Sequence, residues 1–328
     1  MAQKKKRKNN KKQTNTKRII MMILFVIILI GVYFYNTNPV FKSKVDTTVQ
    51  KIEYALYGEP EHVEESQQNS SVQIVAQEGY ILLPEELENP ICPANSHTKD
   101  HELRDYQHYS ICYRENYEQA EWSAYRLTSE QLIKNAKRTD DFRSDPEITT
   151  ESATLSDYKS SGYDRGHLTP AADMAFSQEA MSETFYMSNM SPQAGGFNRG
   201  IWKDLEAEVR EWTKKFGRTY VVSGPIFDKP AEEYKSIGSN KVSVPEYYYK
   251  VILVPLYEDE NDAMSGADTK ELTAIGFIFP NKKCTDSYFN YAVNIDEVEK
   301  RTGLDFFSQL EDSVEHQVES SFDINKWQ

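Results

Sequence analysis

The chain has 328 residues, 39% of them hydrophobic and 12% aromatic, with three cysteines. Length and apolar content suffice for one large or two ordinary domains, and so few cysteines exclude a disulfide-rich mini-scaffold. The formal charge of −13, from 38 Lys+Arg against 51 Asp+Glu, argues against a protein that coats nucleic acid, which is normally basic.

The charge is uneven. Residues 1–18 hold nine Lys/Arg and no acid, and the uncharged run Ile19 to Tyr35 follows directly. At ~1.5 Å per residue, 17 residues reach ~26 Å, close to the ~30 Å apolar slab of a bilayer. The pattern predicts a basic cytoplasmic arm at 1–18 and a transmembrane signal anchor at 19–35, with the remaining chain extracytoplasmic. A cleaved signal peptide competes, but no small-x-small site follows in Gly31 to Phe41. A buried core helix fits poorly, because the run is apolar all round. A nuclear-localisation or nucleic-acid role for the Lys run is weaker, because the adjacent apolar span accounts for it.

Residues 36–90 carry ten acids against three bases, with few apolar periodicities. They are expected to form a flexible acidic tether. One domain is expected at 91–328. Its strand-like runs are Glu121–Leu127, Thr219–Ile226, Tyr247–Val254 and Ala274–Phe279, rich in β-branched and aromatic residues. A short helix is predicted near Gln178–Phe185. A longer one is predicted over Gly200–Phe216, with Trp202, Leu205, Val209, Trp212 and Phe216 on one face and Gly217 as its stop. Strands and helices that do not strictly alternate read as α+β.

Cys92 and Cys112 lie close enough in sequence for a disulfide, which would leave Cys284 free. His97 and His101 lie between them and raise a zinc alternative, Cys92/His97/His101/Cys112, although the spacing matches no standard zinc pattern. The plainer reading puts His97, His101 and His108 on the surface or in turns.

The densest polar cluster is Gly162-Tyr163-Asp164-Arg165-Gly166-His167-Leu168-Thr169-Pro170. In an extended segment Arg165 and His167 point one way and Asp164 the other. A neutral histidine can take a proton from water, and an arginine fork can bind phosphate. Alone, the cluster reads more readily as a structural, hydrogen-bonded His–Asp pair than as a catalyst. Asn198, at the start of the longer helix, reads as a helix cap or as a neutral oxygen ligand for a hard cation. Glu206 and Arg210, one turn apart, read as a surface ion pair of little energetic value or as part of that same site.

Further ordered motifs narrow these alternatives. They are Asn189-Met190-Ser191-Pro192-Gln193, Asn198-Arg199-Gly200-Ile201-Trp202-Lys203-Asp204-Leu205-Glu206, Ser223-Gly224-Pro225-Ile226, Val244-Pro245 leading to Tyr249-Lys250-Val251, and Thr302-Gly303-Leu304-Asp305-Phe306-Phe307. With Asp164-Arg165-Gly166-His167 they resemble, over about 120–310, the DNA/RNA non-specific endonucleases of the ββα-metal superfamily (Serratia-type nucleases and endonuclease G).

The resemblance implies a ββα-metal core on a central, mostly antiparallel sheet with flanking helices. It also implies Mg²⁺-dependent hydrolysis of DNA and RNA to 5′-phosphate products, with Mn²⁺ as a substitute ion. By position, His167 resembles the general base and Asn198 the direct metal ligand. Glu206 resembles the residue that reaches the metal through water. Arg165 and Arg210 resemble groups near the scissile phosphate, and Asn189 a supporting asparagine. Asp164 is expected to orient its neighbours, and Arg138 loosely matches an upstream phosphate-binding arginine. A monomer and a homodimer both remain open. Two other readings remain, a catalytically inactive nucleic-acid-binding module on this fold and an unrelated membrane-tethered hydrolase.

The resemblance also reopens the charge argument. Residues 91–328 hold 26 basic and 41 acidic groups, yet Lys134, Lys137, Arg138, Arg143, Arg165, Arg199, Lys203, Arg210, Lys214, Lys215 and Arg218 cluster near the motifs. A locally positive cleft on an acidic surface is expected, giving salt-sensitive binding.

Overall fold

The computed structural model describes residues 81, 83–93, 100–257 and 269–328. The chain divides into two compact units, Met1–Gln73 and Ile74–Gln328. All described residues belong to the second. The expected arm, anchor and most of the tether lie outside the described residues, as does His97. Among the described residues no helix is long and apolar enough to cross a membrane.

The elements run β1 (His101–Asp105), β2 (Ser110–Arg114), β3 (Gln119–Thr128), β4 (Tyr163–His167), α1 (Gln178–Glu183), β5 (Met190–Ala194) and α2 (Lys203–Phe216). There follow β6 (Arg218–Pro225), β7 (Ser236–Ile237), β8 (Val242–Ser243), β9 (Tyr247–Leu256), β10 (Glu271–Pro280), β11 (Ala292–Val293), α3 (Ile295–Thr302) and α4 (Asp312–Ser320). Seven strands form one sheet in the order β1-β2-β3-β6-β9-β10-β11, and all its pairings are antiparallel. β4 and β5 pair separately. The α+β class and the mostly antiparallel sheet expected from sequence are both present.

Period-two alternation sends side chains to two cores. Val221, Ile252, Ile275 and Phe277 meet Trp202, Leu205, Val209 and Trp212 on one face. Tyr220, Val222, Val251, Leu253 and Ala274 meet Ile295, Val298, Phe306 and Val318 on the other. A sheet covered on both faces explains why its central strands read as unbroken apolar runs. The apolar stripe of α2 is buried as its spacing predicts, and Gly217, at φ 79°, ends the helix.

Packing begins before residue 91. Ile81 bridges to Thr269, and Leu87 is fully buried in the second core. An apolar residue every few positions was enough to dock this stretch, although its composition reads as tether. Cys92 and Cys112 form a disulfide across 20 residues and Cys284 is free. The bridge removes both cysteines from any zinc site. His101 faces Glu121 instead, at 3.4 Å. Cys92→Ser is expected to lower unfolding stability by about 3 kcal/mol through loop-closure entropy. Denaturant titration under non-reducing conditions measures it.

Candidate active site

β4 and β5 pair with His167 opposite Met190 and Gly166 opposite Ser191. Gly166 is required by close approach. A Cβ there would stand 2.1 Å from the Gln193 side chain, which is fully buried with both amide atoms unpartnered. The extended backbone turns Arg165 and His167 to one side, as the alternation predicts. The Arg165 guanidinium lies over the Phe142 ring at 4.1 Å. The His167 ring meets the edges of Phe142 at 5.8 Å and Phe185 at 4.9 Å.

His167 Nε2 is buried and has no hydrogen-bond partner among the described residues. Burial, then the charges of Arg138 and Arg165, push its pKa down to about 3. The imidazole is therefore neutral throughout the physiological range. Unfolding returns it to its ordinary value of 6.5. Between those values the unfolded chain holds the extra proton, so stability falls as pH drops from 6.5 toward about 3. His167→Ala is expected to flatten the stability–pH slope by up to about 1.4 kcal/mol per pH unit. Urea titrations between about pH 4 and 6 test this, and an unchanged slope would contradict a neutral buried His167.

Of the two readings of Asn198, the structure does not support the helix cap. Residues Asn198–Trp202 form a wide, irregular turn with Gly200 at φ −108°, ψ −118°, and α2 starts only at Lys203. The Asn198 amide nitrogen instead donates to Asp164 Oδ2 at 3.0 Å, and Asp164 also pairs with Arg199 at 3.1 Å. Asp164 thus contacts both Asn198 and Arg199. With Nδ2 committed, Asn198 Oδ1 takes no hydrogen bond from the described residues and is left as an available oxygen ligand. This is the outer-shell arrangement that fixes a metal ligand, and a neutral oxygen suits a hard cation that keeps its waters. The open Asn198 oxygen is thus of the kind a divalent metal takes.

Asn189 is fully buried. Its oxygen accepts from the Thr169 amide, and its nitrogen donates to the Thr169 and Thr184 carbonyls, each at 2.9 Å. Both N–H groups and one oxygen lone pair are used, so Asn189 clamps Thr169 and Thr184 behind the histidine.

Glu206 and Arg210 belong to a buried charge network. Arg210 donates to Asp173 Oδ1 at 2.6 Å, and Tyr125 donates to Asp173 Oδ2 at 2.6 Å. Burial raises the Glu206 carboxyl above the usual carboxylate range, against the opposing pull of Lys250. Burial likewise lowers the Lys250 ammonium, against the pull of Glu206 and Asp173. Lys250 is fully buried. Its Nζ lies over the Trp202 ring at 4.5 Å and donates to Ser223. The Trp202 indole in turn donates to the His167 carbonyl at 3.3 Å. One tryptophan thus joins the histidine strand to the Glu206 network. Arg138 acts on both halves, since its charge depresses His167 and lowers Glu206.

Sequence reasoning left Asp173, Tyr125, Ser223 and the Trp202 link unassigned and gave Lys250 no role. One signal was available, a lysine in the middle of the apolar run Tyr247–Leu256. Of the basic cluster expected to line a positive cleft, Arg138 and Arg165 lie near enough to His167 to lower its pKa, although Arg138 also pairs with Asp140 at 2.7 Å. Other members of the basic cluster are neutralised locally, Arg143 by Asp141 and Lys214 by Glu211.

The DNA/RNA non-specific endonuclease family model matches residues 88–313. Nuclease C1 of Cunninghamella echinulata var. echinulata is 39% identical over 221 residues, 63% of this chain and 82% of that one. The mitochondrial nuclease 1 of Schizosaccharomyces pombe is 38% identical over 203 residues, 58% of this chain and 61% of that one. The mitochondrial nuclease of Saccharomyces cerevisiae is 34% identical over 226 residues, 64% and 67% of the two chains. A chain from the solved EndoG/EndoGI complex superposes with TM-score 0.57 at 33% identity, covering 65% of this chain and 88% of that one. The mitochondrial relatives overturn the extracytoplasmic, single-pass cell-membrane placement expected from residues 1–35. Positive charge beside an apolar run orients a segment once it is inserted, but it does not identify a compartment. The matched region spans the whole sheet and both halves of the site, and the chain belongs to the DNA/RNA non-specific endonuclease family.

Proposed function

We propose that this nuclease hydrolyses phosphodiester bonds of both DNA and RNA, without sequence preference, to 5′-phosphate products. The observation that carries the reading is His167, neutral, flanked by two arginines and with Nε2 free of any partner among the described residues. A phosphodiester is anionic and resists attack, so hydrolysis needs charge neutralisation and an activated water. Mg²⁺, or Mn²⁺ in its place, held by Asn198 and reached through water by Glu206, would neutralise charge on the phosphate and its leaving oxygen.

Arg138 and Arg165 bind the phosphate oxygens, and Arg210, anchored on Asp173, adds positive charge beside them. The incoming phosphate offsets the arginine field that depresses His167, so the imidazole becomes a better base once substrate is bound. His167 then takes the proton from water as its oxygen attacks phosphorus, and the bond to the 3′ oxygen breaks. Asp164 and Asn189 hold the geometry. Recognition through phosphates carries no base information, which accounts for the absence of sequence preference.

The direct test incubates the full chain with plasmid DNA and with RNA, in Mg²⁺ and in EDTA, and identifies the product ends. Cleavage of both substrates with 5′-phosphate ends, lost in EDTA, is expected. Undiminished cleavage in EDTA, or 3′-phosphate ends, would overturn the reading.

A further inference from the structure

The sheet face opposite the nuclease site carries a second polar cluster. Asp296 and Glu299 lie in α3, and Glu319 lies in the last turn of α4. One carboxylate oxygen from each lies within 4.8 Å of the others. Asn294, the α3 cap, donates to the Ser320 carbonyl at 2.8 Å and fixes the two helices in this register.

The cluster has no cationic partner among the described residues. The basic residues of α3 turn elsewhere, Lys300 to Glu297 and Arg301 to Asp228. The last turn of α4 holds no basic residue, although a helix C-terminus favours positive charge. Glu319 is only 6% exposed, and its Oε1 is buried without a hydrogen bond. A buried carboxylate among carboxylates is costly unless a cation joins it.

We propose that Asp296, Glu299 and Glu319 form a Ca²⁺ site that pins α4 to α3 on the sheet face away from the nuclease centre. Clustered carboxylates in irregular geometry suit Ca²⁺, which takes six to eight oxygen ligands flexibly, better than Mg²⁺, which demands near-ideal octahedral geometry and keeps several of its waters. Water completes the shell on the exposed Asp296 side. The role is structural and does not depend on the nuclease mechanism.

The test melts the full, EDTA-stripped chain with and without Ca²⁺, as wild type, Asn198→Ala and the double variant Asp296→Asn/Glu299→Gln. Ca²⁺ is expected to raise Tm by roughly 2–4 °C in wild type and in Asn198→Ala. The rise is expected to vanish in the double variant, whose nicking activity in Mg²⁺ stays at the wild-type level. The proposal is overturned by no rise in wild type, by a rise that disappears in Asn198→Ala, or by one that persists in the double variant. An equal rise with Mg²⁺ alone would overturn the assignment to Ca²⁺.

Discussion

His167→Ala is expected to lower plasmid nicking by about 10²–10⁴-fold, the usual contribution of a positioned general base. The protein should remain folded, for reasons visible in the backbone. The Trp202 indole bonds to the carbonyl of residue 167, and β4 pairs with β5 through main-chain groups. Both survive truncation to alanine. What is lost is the imidazole and its edge contacts with Phe142 and Phe185. Circular dichroism and Tm establish the fold, and initial nicking rates at saturating Mg²⁺ measure the chemistry. Near-normal rates in a folded His167→Ala protein would remove the general-base role.

The second large effect concerns Asn198. Replacing it with alanine removes the one side-chain oxygen that Asp164 leaves open. The loss should exceed the roughly 10–100-fold cost typical of an outer-sphere partner. Asp164→Ala supplies that comparison, because it keeps the ligand but frees the amide to rotate. Mg²⁺ titrations separate the two. Asp164→Ala is expected to recover activity at high Mg²⁺, and Asn198→Ala to recover little at any concentration. If Asn198→Ala keeps full activity at limiting Mg²⁺, the metal lies elsewhere.

The fold was largely legible in the sequence where burial was two-sided. The strands at Gln119–Thr128, Arg218–Pro225, Tyr247–Leu256 and Glu271–Pro280 appear as apolar, β-branched runs because helices or loops cover both faces of the sheet. The edge strand His101–Asp105 and its neighbour Ser110–Arg114 were not recognised. Residues such as His101, Glu102, Arg104 and Arg114 keep polar contacts there, which hides the alternation. The helices Ile295–Thr302 and Asp312–Ser320 were also missed, since each presents only one or two buried apolar residues amid charge.

The site divides in the same way. His167, Arg165 and Asp164 share one short strand, so period-two geometry alone predicted which of them face together. Glu206 and Arg210 share one helix, so their proximity followed from helical pitch. Asn198 could be read as a cap or as a metal ligand, because nothing local shows that Asp164, 34 residues away, takes its amide hydrogen. Asn189 was matched to a supporting asparagine, but sequence cannot show which backbone groups, those of Thr169 and Thr184, it holds.

By itself the sequence determined the residue types of the chemistry, their local spacing and the strand and helix that carry them, because those depend only on backbone periodicity. The tertiary structure decided which charges are neighbours and which are buried. It set Lys250 and Asp173 against Glu206 and Arg210, placed two arginines around a neutral His167, and closed three carboxylates together between two helices. Long-range packing and desolvation fix those relations, and both arise only when distant segments share one low-dielectric interior.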